Sequence, residues 1–169
     1  ELEMITDGVD RGVKVMAQAV SETYDYSDSA KQRLISLEFK RKRYQRWMAR
    51  QALTSNRRKR TKKRIAKTFV QQAHIRNDFC HKTSRKIVGQ ESIEVIVMEN
   101  LKTKNMTGKA KAKQDEQGRW LKNGAKAKSG LNKAILSKGW HKLEAYTMYK
   151  AQRENKVVCK VSPHYTSQE

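Results

Sequence analysis

Two stretches of short-period hydrophobicity open the chain. Met4 to Val9 is mostly apolar or small, and Val13, Val15, Ala17 and Ala19 fall on one face at period two. Asp10-Arg11-Gly12 separates them, and Gly12 can supply a tight turn. The pattern predicts a first β-hairpin within residues 1–30, with Thr23 to Ser29 polar and turn-like. From about Ser29 the period becomes helical. Leu34, Leu37, Tyr44, Trp47 and Met48 recur at spacings of three, four and seven, and Ser27 or Ser29 can cap the helix. Leu53-Thr54-Ser55-Asn56 interrupts it. A second helix is expected from about Arg58 to Val88, with Ile65, Phe69, Ala73, Phe79, Thr83 and Ile87 turned inward. Two antiparallel helices joined by a short turn make an αα-hairpin over residues 31–90.

Residues 91–169 return to strands. Ile93, Val95, Ile96, Val97 and Met98 form a nearly continuous apolar run closed by Glu99 and Asn100. A strand apolar on both faces is a central one, covered on each side. Residues 101–130 carry nine lysines or arginines and four glycines, and they are expected to become ordered only on nucleic acid. A third helix is expected from Leu131 to Glu154 and a last strand from Lys156 to Val161. Together these elements read as an α/β fold, a mixed sheet with an inserted basic helical hairpin.

Charge changes this picture more than composition does. The chain has 169 residues with a net charge of +21, and 37% of them are hydrophobic. Residues 1–30 carry a net −5, residues 31–90 a net +18 and residues 91–169 a net +8. A block of that density attracts polyanions, because neutralising phosphates releases condensed counterions. Nucleic acid is the partner it favours. An anionic membrane surface would need a stronger bulky apolar face on the basic helix, and a plain solvated surface is the bland alternative. No apolar run is long enough to cross a membrane and no signal peptide is visible. Cys80 and Cys159 cannot make a disulfide framework or a zinc site by themselves, so a reducing, cytoplasmic setting is expected.

Two acids stand at strand ends. Asp10 closes the first strand and Glu99 the central one. If those strands are neighbours, the two carboxylates meet, which is a usual way to hold Mg²⁺ with water and substrate phosphates. Two metals about 4 Å apart would then serve phosphodiester hydrolysis. The plainer reading is a solvated loop glutamate and an aspartate placed for its turn. Asp7 is the competing acid, and Asp10 is preferred because it stands directly before Arg11-Gly12. His74 and His81, seven apart and near Cys80, suggest a metal less strongly than a surface or interhelical role. Trp47, Trp120 and Trp140 can stack bases, though packing is favoured for Trp47 and Trp140. No phosphate-binding glycine loop is present.

Several segments together resemble the OrfB-type transposases, also called TnpB. These are transposon-encoded proteins with a RuvC-like nuclease domain, related to the type V CRISPR effectors. The segments are DGVDRGV at 7–13, AHIRNDFCHKTSRKIV at 73–88, VIVMENLKTKNM at 95–106 and the stretch from Gly130 to Gln168 that ends in PHYTSQ. The resemblance implies an RNase H-like fold and an RNA-guided DNA endonuclease using Mg²⁺, two ions in the complete protein, with DNA and guide RNA as partners. It places the first catalytic, metal-binding aspartate on Asp10 and the glutamate on Glu99. The charge distribution, for its part, points to the basic residues as the nucleic-acid-binding ones: Lys40, Arg41, Lys42 and Arg43 on the first helix; Arg57, Arg58, Lys59, Arg60, Lys62, Lys63 and Arg64 on the second; Lys102 and Lys104 after Glu99.

In that family the final TSQ precedes a zinc ribbon and a third catalytic aspartate, and helix-rich nucleic-acid-binding sequence precedes the first strand. The expectation is therefore a middle portion truncated at both ends, with zinc belonging to the missing C-terminal part and little or no cleavage by the portion alone. Two functional readings follow. One is a nuclease core that needs its missing parts. The other is an inactive basic nucleic-acid-binding remnant or regulator.

Overall fold

The structure, a computed structural model, describes residues 5–20 and 22–163. Met4, expected to start the first strand, and the closing His164–Gln168 lie outside the described residues. The chain divides into two compact units, Glu1–Tyr24 with Thr83–Glu169, and Asp25–Lys82.

The first unit is built on a three-stranded parallel sheet in the order β1 (Thr6–Val9), β4 (Val95–Glu99), β7 (Val157–Val161). β4 is central, as its apolar run predicts: Ile96 is fully buried, Met98 is 1% exposed, and Ile93 and Val95 are buried. In register, Thr6 faces Val95 and Val9 faces Met98, while Val95 faces Val157 and Glu99 faces Val161. One face is covered by α5 (Trp140–Arg153), whose Leu143, Thr147 and Ala151, four apart, are fully buried. The last turn of α2 adds Thr83, Ser84, Ile87 and Val88 to this core. Trp140 is packed inside as expected.

The expected first hairpin is shorter than its alternation suggests. β2 is only Ala17–Gln18, paired antiparallel with β3 (Thr23–Tyr24). β1 meets β2 through a single bridge, in which Asp10 and Gln18 exchange backbone hydrogen bonds of 2.8 Å. Residues 11–16 form a loop instead of a strand. Met16 and Ala17 are both fully buried in succession, which breaks the two-residue period. A Cβ on Gly12 would come within 2.9 Å of the Val15 carbonyl oxygen, so the chain turns there too tightly for a side chain.

Two further expectations are corrected. The single helix over 131–154 is two, α4 (Ala125–Lys138) and α5, broken at Gly139 with φ of 76°. That left-handed conformation ends a helix and strongly favours glycine. Residues 101–130 carry structure of their own: a short helix α3 (Thr103–Met106) and a hairpin of β5 (Lys113–Gln114) and β6 (Trp120–Leu121). Asp115 organises its turn by accepting from the backbone of Gln117 at 3.0 Å and Arg119 at 2.7 Å. Asn132 on α4 donates to the carbonyls of Thr107 and Gly108.

The second unit is the expected helical pair. α1 (Asp28–Ala49) is capped by Ser27, whose hydroxyl accepts from Ala30 at 3.3 Å. α2 (Asn56–Val88) follows after six residues. Its buried seam in this unit is Thr61, Ile65, Thr68 and Gln72; of the expected row Ile65, Thr83 and Ile87 are buried, whereas Phe69 is 49% exposed. The threonines enter the seam because their hydroxyls bond back to their own helix, Thr61 to the Arg57 carbonyl and Thr68 to that of Ile65. Phe69 lies outside with the Arg41 guanidinium 5.1 Å from its ring centre. Tyr26 closes the unit by stacking on Phe79 at 4.3 Å.

Candidate active site and nucleic-acid interface

Register decides which acid belongs with Glu99. Asp7 pairs with Ile96 and Val9 with Met98. Continued by one residue, the register sets Asp10 beside Glu99. Paired residues of parallel strands point to the same face and successive residues alternate. Asp7, Val9, Ile96 and Met98 therefore share the covered face, and Gly8, Asp10, Val97 and Glu99 the opposite one. Burial agrees: Asp7 is 4% exposed, while Asp10 is exposed and Glu99 half-buried. Asp7 accepts a 3.2 Å hydrogen bond from the Val20 backbone and leaves its other oxygen buried without a partner.

A second feature holds this sheet end, and no sequence pattern announced it. Arg11 follows Val9 by two residues and so turns to the covered face, where its side chain is 1% exposed. It donates to Glu144 of α5 at 2.7 Å and to the backbone carbonyl of Glu99. Lys160 of β7 donates to the other Glu144 oxygen at 2.5 Å. Burial pushes the Glu144 carboxyl up, but the hydrogen bonds from Lys160 and Arg11 outweigh it and hold it below the ordinary carboxylate range. One carboxylate thus ties α5, β7 and the segment after β1 together directly behind Glu99. Beyond Glu99, a cavity of about 600 Å³ is lined by Asn100, Lys102, Asn105, Lys160 and the end of β7.

Asp10 and Glu99 suit a hard divalent cation: two carboxylates adjacent in register, on the uncovered face, beside a cavity where Lys102 can meet phosphate oxygens. Mg²⁺ commonly takes only one or two protein carboxylates and completes its shell with water and phosphate. Among the described residues, no group of three or more His, Cys, Asp or Glu side chains is placed to hold a metal. His74 and His81 are exposed, and Cys80 is fully buried.

The basic residues separate by use. Lys40, Lys42, Arg43, Arg57, Lys59, Arg60, Lys62, Lys63 and Arg64 are exposed on the helical pair, and Lys102 and Lys104 on the first unit. Arg41 and Arg58 are half-buried and engaged. Arg41 pairs with Glu38. Arg58 reaches back to the carbonyls of Met48 and Gln51, closing the C-terminal end of α1. Trp47, expected to be packed, is 41% exposed and lines a cavity of about 630 Å³ with Arg50, Gln51, Arg57, Arg60, Thr61 and Arg64.

Residues 5–110 match the family OrfB_IS605, described as "Probable transposase". The chain belongs to that family. This OrfB_IS605 chain is also 34% identical, over 126 residues, to "Putative RNA-guided DNA endonuclease InsQ" of Escherichia coli (strain K12). The match covers 75% of this chain and 30% of that relative, so the chain spans less than a third of the relative's length. The family match includes Asp10, Glu99, Lys102 and Lys104, all of the helical pair and the ends of β1 and β4. Among the described residues of this family member, no helix is long and apolar enough to cross a membrane.

Proposed function

We propose that this chain is the part of an RNA-guided DNA endonuclease that carries two of its metal-binding carboxylates, Asp10 and Glu99, on an RNase H-like core. DNA and a guide RNA are its partners, bound in part by the basic helical pair. The single observation supporting this is the β1–β4 register, which brings Asp10 and Glu99 together on the uncovered face. The relative's name supplies the activity and the partners.

In this reading each residue has a distinct task. Asp10 and Glu99 would hold the cation, and Mg²⁺ bound there would activate a water and offset the charge that develops on the phosphodiester. Lys102 receives backbone phosphate in the adjoining cavity, while Lys160 stays with Glu144. Arg11 fixes the Glu99 backbone from behind, so the carboxylate is positioned before substrate arrives.

The test is Mg²⁺-dependent cleavage of guide-matched DNA by the protein expressed from its full reading frame. Asp10→Ala and Glu99→Ala are expected to abolish cleavage while nucleic-acid affinity stays nearly intact or tightens, since two carboxylates no longer face phosphate. Asp7→Asn is expected to cleave. Full activity in Asp10→Ala overturns the assignment. A second reading, a basic nucleic-acid-binding module without chemistry, is favoured by the net +18 of residues 31–90, which suffices for binding alone. Binding with no cleavage in the parent protein would select it.

A further inference from the structure

α2 begins against its own dipole. The N-terminal end of a helix carries partial positive charge and is stabilised by acids, yet the first turn of α2 has none. Arg57, Arg58, Lys59 and Arg60 stand there instead. Ser55 relieves one free donor by accepting from the Arg58 backbone at 3.2 Å, and Arg58 turns away to cap α1. Arg57, Arg60 and Arg64, three and four residues apart on one face of α2, instead line the 630 Å³ cavity with Arg50. Four guanidiniums line it and no carboxylate does. Cations gathered in this way repel one another and the helix end until an anion joins them, and the planar guanidinium fork matches phosphate.

The same cavity offers two features that an anion alone does not use. Trp47 presents its indole there, steadied by Tyr44 with ring centres 5.5 Å apart and by the Arg43 guanidinium at 5.2 Å. Gln51, half-buried, also lines the cavity; its side-chain carbonyl oxygen is buried with no hydrogen-bond partner among the described residues, and rotation of the side chain would offer it to a ligand. A buried acceptor without a donor is unfavourable until a donor meets it. Phosphate-binding arginines, an aromatic face and an unanswered acceptor, in a volume within the ~300–1,000 Å³ of small-ligand pockets, describe a nucleotide.

We propose that this cavity takes one unstacked nucleotide of a single-stranded nucleic acid. The base stacks on Trp47 and donates to Gln51, and the flanking phosphates lie on Arg57, Arg60 and Arg64. The proposal rests on the reading above only in taking nucleic acid as the partner. It requires nothing of Asp10 or Glu99. An acidic peptide would satisfy the arginines but would leave the indole and Gln51 without a counterpart.

The experiment uses the 169-residue chain and labelled oligouridine RNA or oligothymidine DNA, each beside an abasic strand of equal length and charge. Anisotropy gives affinity, and the part of the tryptophan signal of this three-tryptophan chain that is lost in Trp47→Leu reports on the indole. Trp47→Leu is expected to weaken the base-bearing strand about tenfold and leave the abasic strand unchanged. Gln51→Ala, which keeps the indole, is expected to give a smaller loss of the same base-dependent kind. Arg60→Ala is expected to weaken both strands alike. Circular dichroism confirms that each variant is helical. A base-dependent loss with either sugar supports the proposal and assigns the pocket to that strand. Losses in Trp47→Leu and Gln51→Ala that are equal on both strands, or absent, overturn it and leave the nucleic-acid reading standing. Tryptophan quenching by polyglutamate equal to that by the base-bearing strand also overturns it. Failure of the parent chain to bind any strand overturns both.

Discussion

Arg11→Met tests the support behind Glu99. In the folded protein the Arg11 side chain is 1% exposed, and it donates to Glu144 and to the Glu99 carbonyl. Removing one partner of a buried ion pair costs about 3–5 kcal/mol, because the other charge is stranded. Glu144 retains Lys160 and is 17% exposed, which draws the cost down, while the Glu99 carbonyl loses a donor worth about 1–2 kcal/mol. The expected sum is about 3 kcal/mol, a fall in Tm of roughly 6–12 °C for a chain of this length. Thermal unfolding followed by circular dichroism reads it. The pH dependence supplies a second check. Glu144 is held below its ordinary pKa when folded, so the unfolded chain binds the proton more readily. The stability it contributes is present above the ordinary carboxylate value of about 4.3 and is lost as pH falls through the lower folded value. Arg11→Met should flatten that acid-side loss, since only Lys160 then depresses the carboxyl. Arg11→Met/Glu144→Met should melt above Arg11→Met, because the only charge then left without its partner is Lys160, which is partly exposed to water. A single variant melting within ~2 °C of the parent, or a double variant melting below the single, refutes the reasoning.

Two further outcomes are expected. Gly139→Ala forces a side chain into the left-handed conformation between α4 and α5; it should cost about 1–2 kcal/mol in a urea titration, and an unchanged midpoint would show that the break adapts. Arg58→Ala and Lys59→Ala should part ways. The first loses the cap on α1 and lowers Tm, whereas the second leaves Tm unchanged and lowers the slope of log affinity against log salt by about 0.9 if its phosphate contact is real. Equal melting of the two refutes the division of labour.

What was legible in the sequence was whatever depends on local order. The Ile93–Met98 run declared a central strand because both faces are apolar, and Asp10 and Glu99 could be named because they end strands. The helical pair followed from its period and its Ser27 cap. What was not legible depends on partners far along the chain. Nothing near Arg11 signals that it meets Glu144, 133 positions away. Along α2, counting apolar side chains selects Phe69 over Thr68, whereas a threonine that satisfies its own hydroxyl packs well inside. Gly139 was present as a cue for a helix break, but the apolar spacing on either side of it continues as though one helix ran through. Trp47 reads as a packing residue from its apolarity, and only the fold gathers four arginines around it.

The parallel sheet also sets an order of events in time. Thr6 pairs with Val95, and Val95 with Val157, so β1 leaves the ribosome about 90 residues before its neighbour exists. At synthesis rates of ~5–20 residues per second it waits roughly 4–18 s. Contacts of such separation are slow to form and exact a chain-closure entropy that grows with the logarithm of the loop. The helical pair emerges in that interval, and Tyr26 on Phe79 joins its two ends. Once that contact forms, the loop between β1 and β4 shortens from about 90 residues to about 36, lowering the closure cost by about 0.8 kcal/mol. The basic insertion thus serves as a folding staple for the strands that carry the acids, before it meets any nucleic acid.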